Sequence, residues 1–285
     1  MTNLPTLRAL RELEREDPER ARALLVDTSR HDGCSGDYRD ELLTVLAKTY
    51  ASPGSAHEGM VILRQLRERV NRLSPRSRAC LALEDARLKN AASYASADAK
   101  RGFEEAFELA RSGRFDDLAL DAAHMLSSVV FDDEEAQLRW SMEAVRLAEV
   151  SRMPDAHARL GAMYHDAAWA HHEWERYDEA LALFEKALRV RESRGDDPEA
   201  IFIARWSVAM MWRELGRPEQ ALEAQLELAS QRELPDAHNL GEIARCLIAL
   251  GRQQEAHAYI DAAVHALQSV EPVDEFELEE LESLR

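Results

Sequence analysis

The feature that most limits what this chain can fold into is a small residue that returns at a near-constant interval. Ala21, Ala56, Ala99, Ala136, Ala180, Ala221 and Ala256 each follow a loop, several of them in a Glu-Ala pair or a close variant, and each opens a segment of helical periodicity. The intervals between them are 35, 43, 37, 44, 41 and 35 residues. Recurrence at this period marks a solenoid, in which one helix hairpin cannot bury its apolar face alone and stacked neighbours make the core continuous. Seven hairpins follow. With only 11 Gly and 9 Pro in 285 residues, little turn chemistry is left for a sheet protein, and the abundant Ala, Leu, Glu and Arg are good helix formers. The expected fold is all-α.

The clearest pair lies at 155–194. Ala180, Phe184, Ala187 and Leu188 fall at helical spacing and define one buried stripe. Asp178 and Glu179 sit in the first turn, and Arg189, Arg191 and Arg194 near the end, each sign matching its pole of the helix dipole. Gly216 and Gly251 follow helices in Glu-Leu-Gly-Arg and Ala-Leu-Gly-Arg, where a left-handed glycine ends a helix. After Pro272, Asp274-Glu-Phe-Glu277 has the form of a capping box and precedes Leu278, Leu281 and Leu284, which predicts a short capping helix over 274–284.

In this region the chain resembles the tetratricopeptide repeat family, whose pattern is Trp-xx-Leu-Gly-xx-Tyr followed by Ala-xxx-Phe-xx-Ala. Tyr164-xx-Ala167-Ala168-xx-His171 precedes Tyr177-xx-Ala180-xxx-Phe184-xx-Ala187. The next copy runs through Val208, Ala209, Trp212, Gly216 and Ala221, and the last through Ile243, Ala244, Leu247, Gly251, Ala256 and Ala263. Intervals of 41 to 44 exceed the family's 34, so longer helices are implied, similar to those of kinesin light chains and bacterial signal-transduction regulators. The resemblance implies a right-handed superhelical α-solenoid of about seven hairpins plus the capping helix. Residues 1–95 form divergent hairpins, 96–269 clearer repeats and 270–285 an acidic capping tail, within a single array.

The net charge is −18, which excludes nonspecific binding to nucleic acid, since that needs a basic stripe able to displace counterions. An anionic membrane would be repelled as well. Residues 271–285 alone carry −6. Cys34, Cys80 and Cys246 are odd in number and far apart, so neither a disulfide framework nor a zinc site is expected. The N-terminus has no signal-peptide core and no segment approaches a membrane span, which points to the cytoplasm.

The motifs that carry chemistry are missing or have structural readings. His165, His171 and His172 cluster, but neither His172-Glu173 nor His57-Glu58 completes HExxH, and no metal or cofactor is expected. Asp132 to Glu135 precede Ala136 as Asp178 and Glu179 precede Ala180, so a helix's acidic first turn accounts for them. No phosphate loop or nucleophile elbow occurs, and no catalytic residue is assigned.

The resemblance implies that the first helix of each hairpin lines the concave wall at three positions spaced four and three apart. These are His165, Trp169 and His172; Trp206, Met210 and Arg213; Gly241, Arg245 and Ile248; and, in the fourth hairpin, Leu120, His124 and Ser127. The candidate partner-binding set is therefore His124, His165, Trp169, His172, Trp206, Met210, Arg213 and Arg245. Aromatic and Arg side chains anchor interfaces and Met adapts its shape. They point to a protein or peptide partner with acidic and aromatic or aliphatic anchors. The Lys and Asn of the carboxylate clamp of chaperone-binding members are absent from these positions, which disfavours a chaperone C-terminus. A scaffold or signalling adaptor is the first expectation. The alternatives are an enzyme on an α/α array and a regulator subunit sensing a peptide or small molecule. Self-association and an intramolecular contact of the acidic tail with the groove are further expectations.

Overall fold

A computed structural model describes residues 4–234, 236–270 and 274–284. Among these residues there are helices and no strand, and the helices pair consecutively. Seven hairpins are formed by α1 (Leu7–Glu16) with α2 (Pro18–Ser29), α3 (Gly36–Lys48) with α4 (Ala56–Arg67), α5 (Pro75–Ala92) with α6 (Ala97–Gly113), and α7 (Asp116–Val129) with α8 (Glu134–Val150). After the short α9 (Pro154–Ala158) come α10 (Leu160–Glu173) with α11 (Tyr177–Arg194), α12 (Pro198–Glu214) with α13 (Pro218–Ser230), and α14 (Ala237–Ala249) with α15 (Gln253–Gln268). The last helix is α16 (Glu275–Ser283). No described helix is long and apolar enough to cross a membrane.

All seven anchor alanines sit in the first turns of the second helices α2, α4, α6, α8, α11, α13 and α15, and none is more than 5% exposed. A methyl group is what fits there, because the two helices of a hairpin approach too closely for a longer side chain. One such close approach lies between α5 and α6, where a Cβ added at Gly102 would stand 2.8 Å from the Cβ of Ala86.

Helix ends follow the local chemistry. The side chains of Thr6, Asp17, Ser74, Ser96, Asp133, Asp236 and Asp274 each accept a hydrogen bond from the backbone N–H three residues on, satisfying a donor that a helix start leaves open. Asp133 and the first-turn Glu134 and Glu135 thus account for the acidic run before Ala136. Gly216 and Gly251 take φ of +73° and +72°, the left-handed stop expected of them. The predicted capping helix is α16, with Asp274 accepting from Glu277 N at 3.0 Å; Pro272 and Arg285 lie outside the described residues.

The chain divides into two compact units, Met1–Met163 and Tyr164–Arg285, with the division inside α10. In the first unit, Leu10, Leu25, Leu42, Leu63, Leu66, Leu83, Leu88 and Phe103 are fully enclosed. This core is bordered by ion pairs: Glu41 joins Arg11 at 2.9 Å and Arg76 at 3.3 Å, and Arg76 continues to Asp117. In the second unit, Phe184 and Ala187 of α11, Ala209 and Met211 of α12 and Ile243, Ala244 and Leu247 of α14 are buried. Leu281 of α16 joins the same core at 0% exposure, so the last helix is part of the packed structure.

Candidate binding cavity in the second unit

Asp197 caps α12 and Pro198 presets the dihedral of its first turn. Glu199, Ile203, Trp206, Met210 and Arg213 then fall three or four residues apart and share one face. That face lines a cavity of about 790 Å³. Trp169 and His172 of α10 form one side of it, His238, Glu242 and Arg245 of α14 another, and Phe276, Glu277 and Glu280 of α16 contribute from the C-terminal end. Every one of these residues lies in the Tyr164–Arg285 unit.

The aromatic rings form a connected wall. Trp169 stands 6.3 Å from Trp206 between centroids, Trp206 6.5 Å from His238, and Trp169 5.1 Å from His172. Fully buried Phe184 supports Trp169 edge-on at 5.5 Å. The backbone of the central helix is tied as well: buried Gln225 of α13 donates to the Trp206 carbonyl at 3.2 Å and accepts from buried Asn239 of α14 at 2.7 Å. The indole Nε1 of Trp206 is buried with no acceptor within hydrogen-bonding distance in the chain. A buried donor left open costs about 1–3 kcal/mol.

Glu242 organises the charges. It is 2% exposed and accepts from Arg213 through Nε at 2.9 Å and a terminal nitrogen at 3.1 Å, in the bidentate geometry that planar guanidinium favours. Arg245 donates to the same carboxylate at 3.4 Å and to Glu277 and Glu280 of α16 at 3.0 and 3.1 Å. Burial opposes the charge on Arg213, but its bond to Glu242 and the nearby Glu242 and Glu214 carboxylates outweigh that, and its pKa is raised above the ordinary value. Burial also lowers the pKa of His172, with Arg213 adding to the effect against Glu214, so this imidazole favours its neutral form.

Six of the eight sequence candidates, Trp169, His172, Trp206, Met210, Arg213 and Arg245, converge on this cavity. His165 stands behind its wall, edge-on to Phe184 at 5.2 Å and 3.3 Å from the Ser207 hydroxyl. The turn of α10 that aims Trp169 and His172 into the cavity packs His165 against the core. His124 belongs to α7 in the first unit and is not among the lining residues. Both arginines that were to receive the expected acidic anchor of a partner already hold carboxylates of the chain itself.

Sequence reasoning missed Glu199 and Phe202, although both lie on the Trp206 face of α12 one or two turns earlier and that spacing could have found them. It also missed Glu242, whose role depends on α12 and α14 coming together, and Phe276, Glu277 and Glu280. Gly241 explains the approach of α16: a Cβ there would meet Leu281 at 3.1 Å and Glu277 at 3.2 Å. The capping helix therefore lies against groove positions of the last hairpin, and it both covers the core and lines the cavity.

Stacked helix hairpins of this kind define the class of helical repeat proteins. Residues 161–194 match the tetratricopeptide repeat family profile, and the whole chain is similar in fold to solved structures. The structure of NprR in complex with its cognate peptide NprX is 18% identical, with 98% of this chain and 81% of that chain covered and a TM-score of 0.59. The apo form of RapI is 10% identical, with 98% and 79% covered and a TM-score of 0.77. The apo form of the quorum sensor NprR from B. thuringiensis is 18% identical, with 98% and 78% covered and a TM-score of 0.66. No curated protein matches the sequence. At these identities the likeness is one of fold.

Proposed function

We propose that this chain is a non-enzymatic scaffold, a cytoplasmic adaptor that holds a protein or peptide in the cavity of its second unit. The observation that carries this reading is the convergence of half-buried Trp169 and Trp206 on a cavity of about 790 Å³. That volume lies within the range of small-ligand pockets and accommodates a few side chains of a peptide. Aromatic side chains held in place by a rigid core are the usual anchors of an interface, because little rotamer entropy is left to lose on binding. The fold likeness to NprR, solved with its peptide NprX, supports the same reading. Signalling output would then require a further partner.

The test is site-specific photocrosslinking in the native cell. A benzophenone amino acid replaces Ile203, an exposed residue of the cavity, or Val61, an exposed residue of α4. A discrete adduct at position 203 that is missing at position 61, and is lost when Trp206→Ala is added, is the expected result. Equal adducts at both positions, or an adduct at 203 indifferent to Trp206→Ala, would show that the cavity is not the site.

A further inference from the structure

The charges around the cavity do not balance, and the imbalance specifies a ligand class. Six carboxylates line it, those of Glu199, Glu214, Asp236, Glu242, Glu277 and Glu280, against the two guanidiniums of Arg213 and Arg245. Arg232 pairs with Glu199 and Asp236, so even with it included six negative charges meet three positive ones. An incoming carboxylate would have to displace Glu242 or Glu277 from an arginine and would still face a negative surround. An incoming cation displaces nothing: Glu280 and Glu199 are half exposed, at 50% and 54%, and each has lone pairs to spare.

The chain already shows how a cation sits here. The Arg232 guanidinium lies 3.8 Å over the centre of the Phe202 ring, with Glu199 and Asp236 at its edge. Aromatic face and carboxylate together hold a desolvated cation better than either alone, since the ring quadrupole adds to the ion pair. Trp169, Trp206 and exposed Phe276 offer further rings along the same cavity.

Resting on the binding reading above, we propose that the cavity takes a short basic peptide, with an Arg or Lys side chain paired to the carboxylates of its rim and a neighbouring aromatic or aliphatic side chain laid against Trp169 and Trp206. The basic residue provides charge complementarity to this acidic cavity, and the apolar residue provides the buried area. The expected acidic anchor is replaced by its opposite.

Three pools of blocked, fluorescein-labelled heptapeptides test this on the full-length chain. All carry the same randomised Phe, Leu, Trp and Met positions and differ only in two positions filled by Lys or Arg, by Asp or Glu, or by Ser or Gln. Fluorescence anisotropy should show the basic pool binding at least about 10-fold tighter than the neutral pool, with an affinity that falls as salt is raised from low levels to about 0.5 M. The double variant Glu199→Gln/Glu280→Gln should weaken the basic pool by about 10-fold, while Glu104→Gln/Glu105→Gln on exposed α6 leaves it unchanged, which separates the cavity from the general charge of the protein. Equal weakening by both double variants overturns the assignment to this cavity. Tighter binding of the acidic or neutral pool overturns the ligand class and leaves the binding reading standing. No binding by any pool overturns both.

Discussion

Glu242→Gln is the substitution whose consequence can be worked out most fully. The carboxylate is 2% exposed and bridges Arg213 and Arg245, each 17% exposed. The amide keeps the shape but removes the charge, so one oxygen must serve two guanidiniums and an NH₂ group is turned toward one of them. Breaking a buried ion pair by removing one partner typically costs about 3–5 kcal/mol. Here Glu214 stays 2.9 Å from Arg213, and Glu277 and Glu280 stay with Arg245, so part of the compensation survives. The expected loss is therefore reduced to about 2–3 kcal/mol. Urea unfolding followed by circular dichroism reads it directly, as a lower midpoint with an unchanged slope. Arg213→Met combined with Glu242→Gln should recover part of the loss, because the cation left without its main partner is gone. A change below about 0.5 kcal/mol in the single variant would refute the argument that the arginines are held internally, and with it the exclusion of an acidic ligand.

Leu281→Ala should loosen α16 more than the rest of the unit, because Leu281 is the fully buried contact of that helix; hydrogen exchange should show protection lost over Glu275–Ser283, and unchanged protection there would contradict the packing described. Burial lowers the folded pKa values of His171 and His172 below the ordinary 6.5. The unfolded chain then binds more protons than the folded one between 6.5 and the depressed values, so their contribution to stability falls as pH drops through that window and is level above it; urea midpoints against pH should fall less steeply in His172→Gln than in the parent. Gly102→Val should lower stability by about 1–3 kcal/mol although it removes a helical glycine, because its side chain drives α6 from Ala86; a gain in the melting temperature would contradict the close approach. Burial pushes the Cys80 and Cys246 thiols up to about 12, so iodoacetamide at mildly alkaline pH should leave both unmodified until the chain is unfolded.

How much of this was legible in the sequence depended on how local its cause was. The hairpins were readable because an alanine at each close approach, a capping side chain or Pro at several helix starts and a left-handed glycine at two helix ends all act within a few residues. The stripe of α12 was readable for the same reason, since spacing alone puts Trp206, Met210 and Arg213 on one face. His165 shows where spacing stops being enough: it lies one turn before Trp169 and both rings pack edge-on against Phe184, yet only Trp169 lines the cavity. The state of Arg213 and Arg245 was out of reach, because beside the local Glu214 and Glu242 contacts each is held by distant carboxylates, Glu242 for Arg213 and Glu277 and Glu280 for Arg245, 29 to 35 positions away and brought close by the stacking of α12, α14 and α16. A glycine at 241 was the one local trace of α16 against α14, and its meaning as a space for Leu281 appears only in three dimensions.

The most direct test of the central claim uses the five tryptophans as reporters. Indole ¹⁵N–¹H resonances of Trp140, Trp169, Trp174, Trp206 and Trp212 are recorded while the partner captured at position 203 is titrated in. Trp169 and Trp206, which line the cavity, are expected to shift most. Large shifts at Trp140 with Trp169 and Trp206 unmoved would place the partner elsewhere and contradict the account.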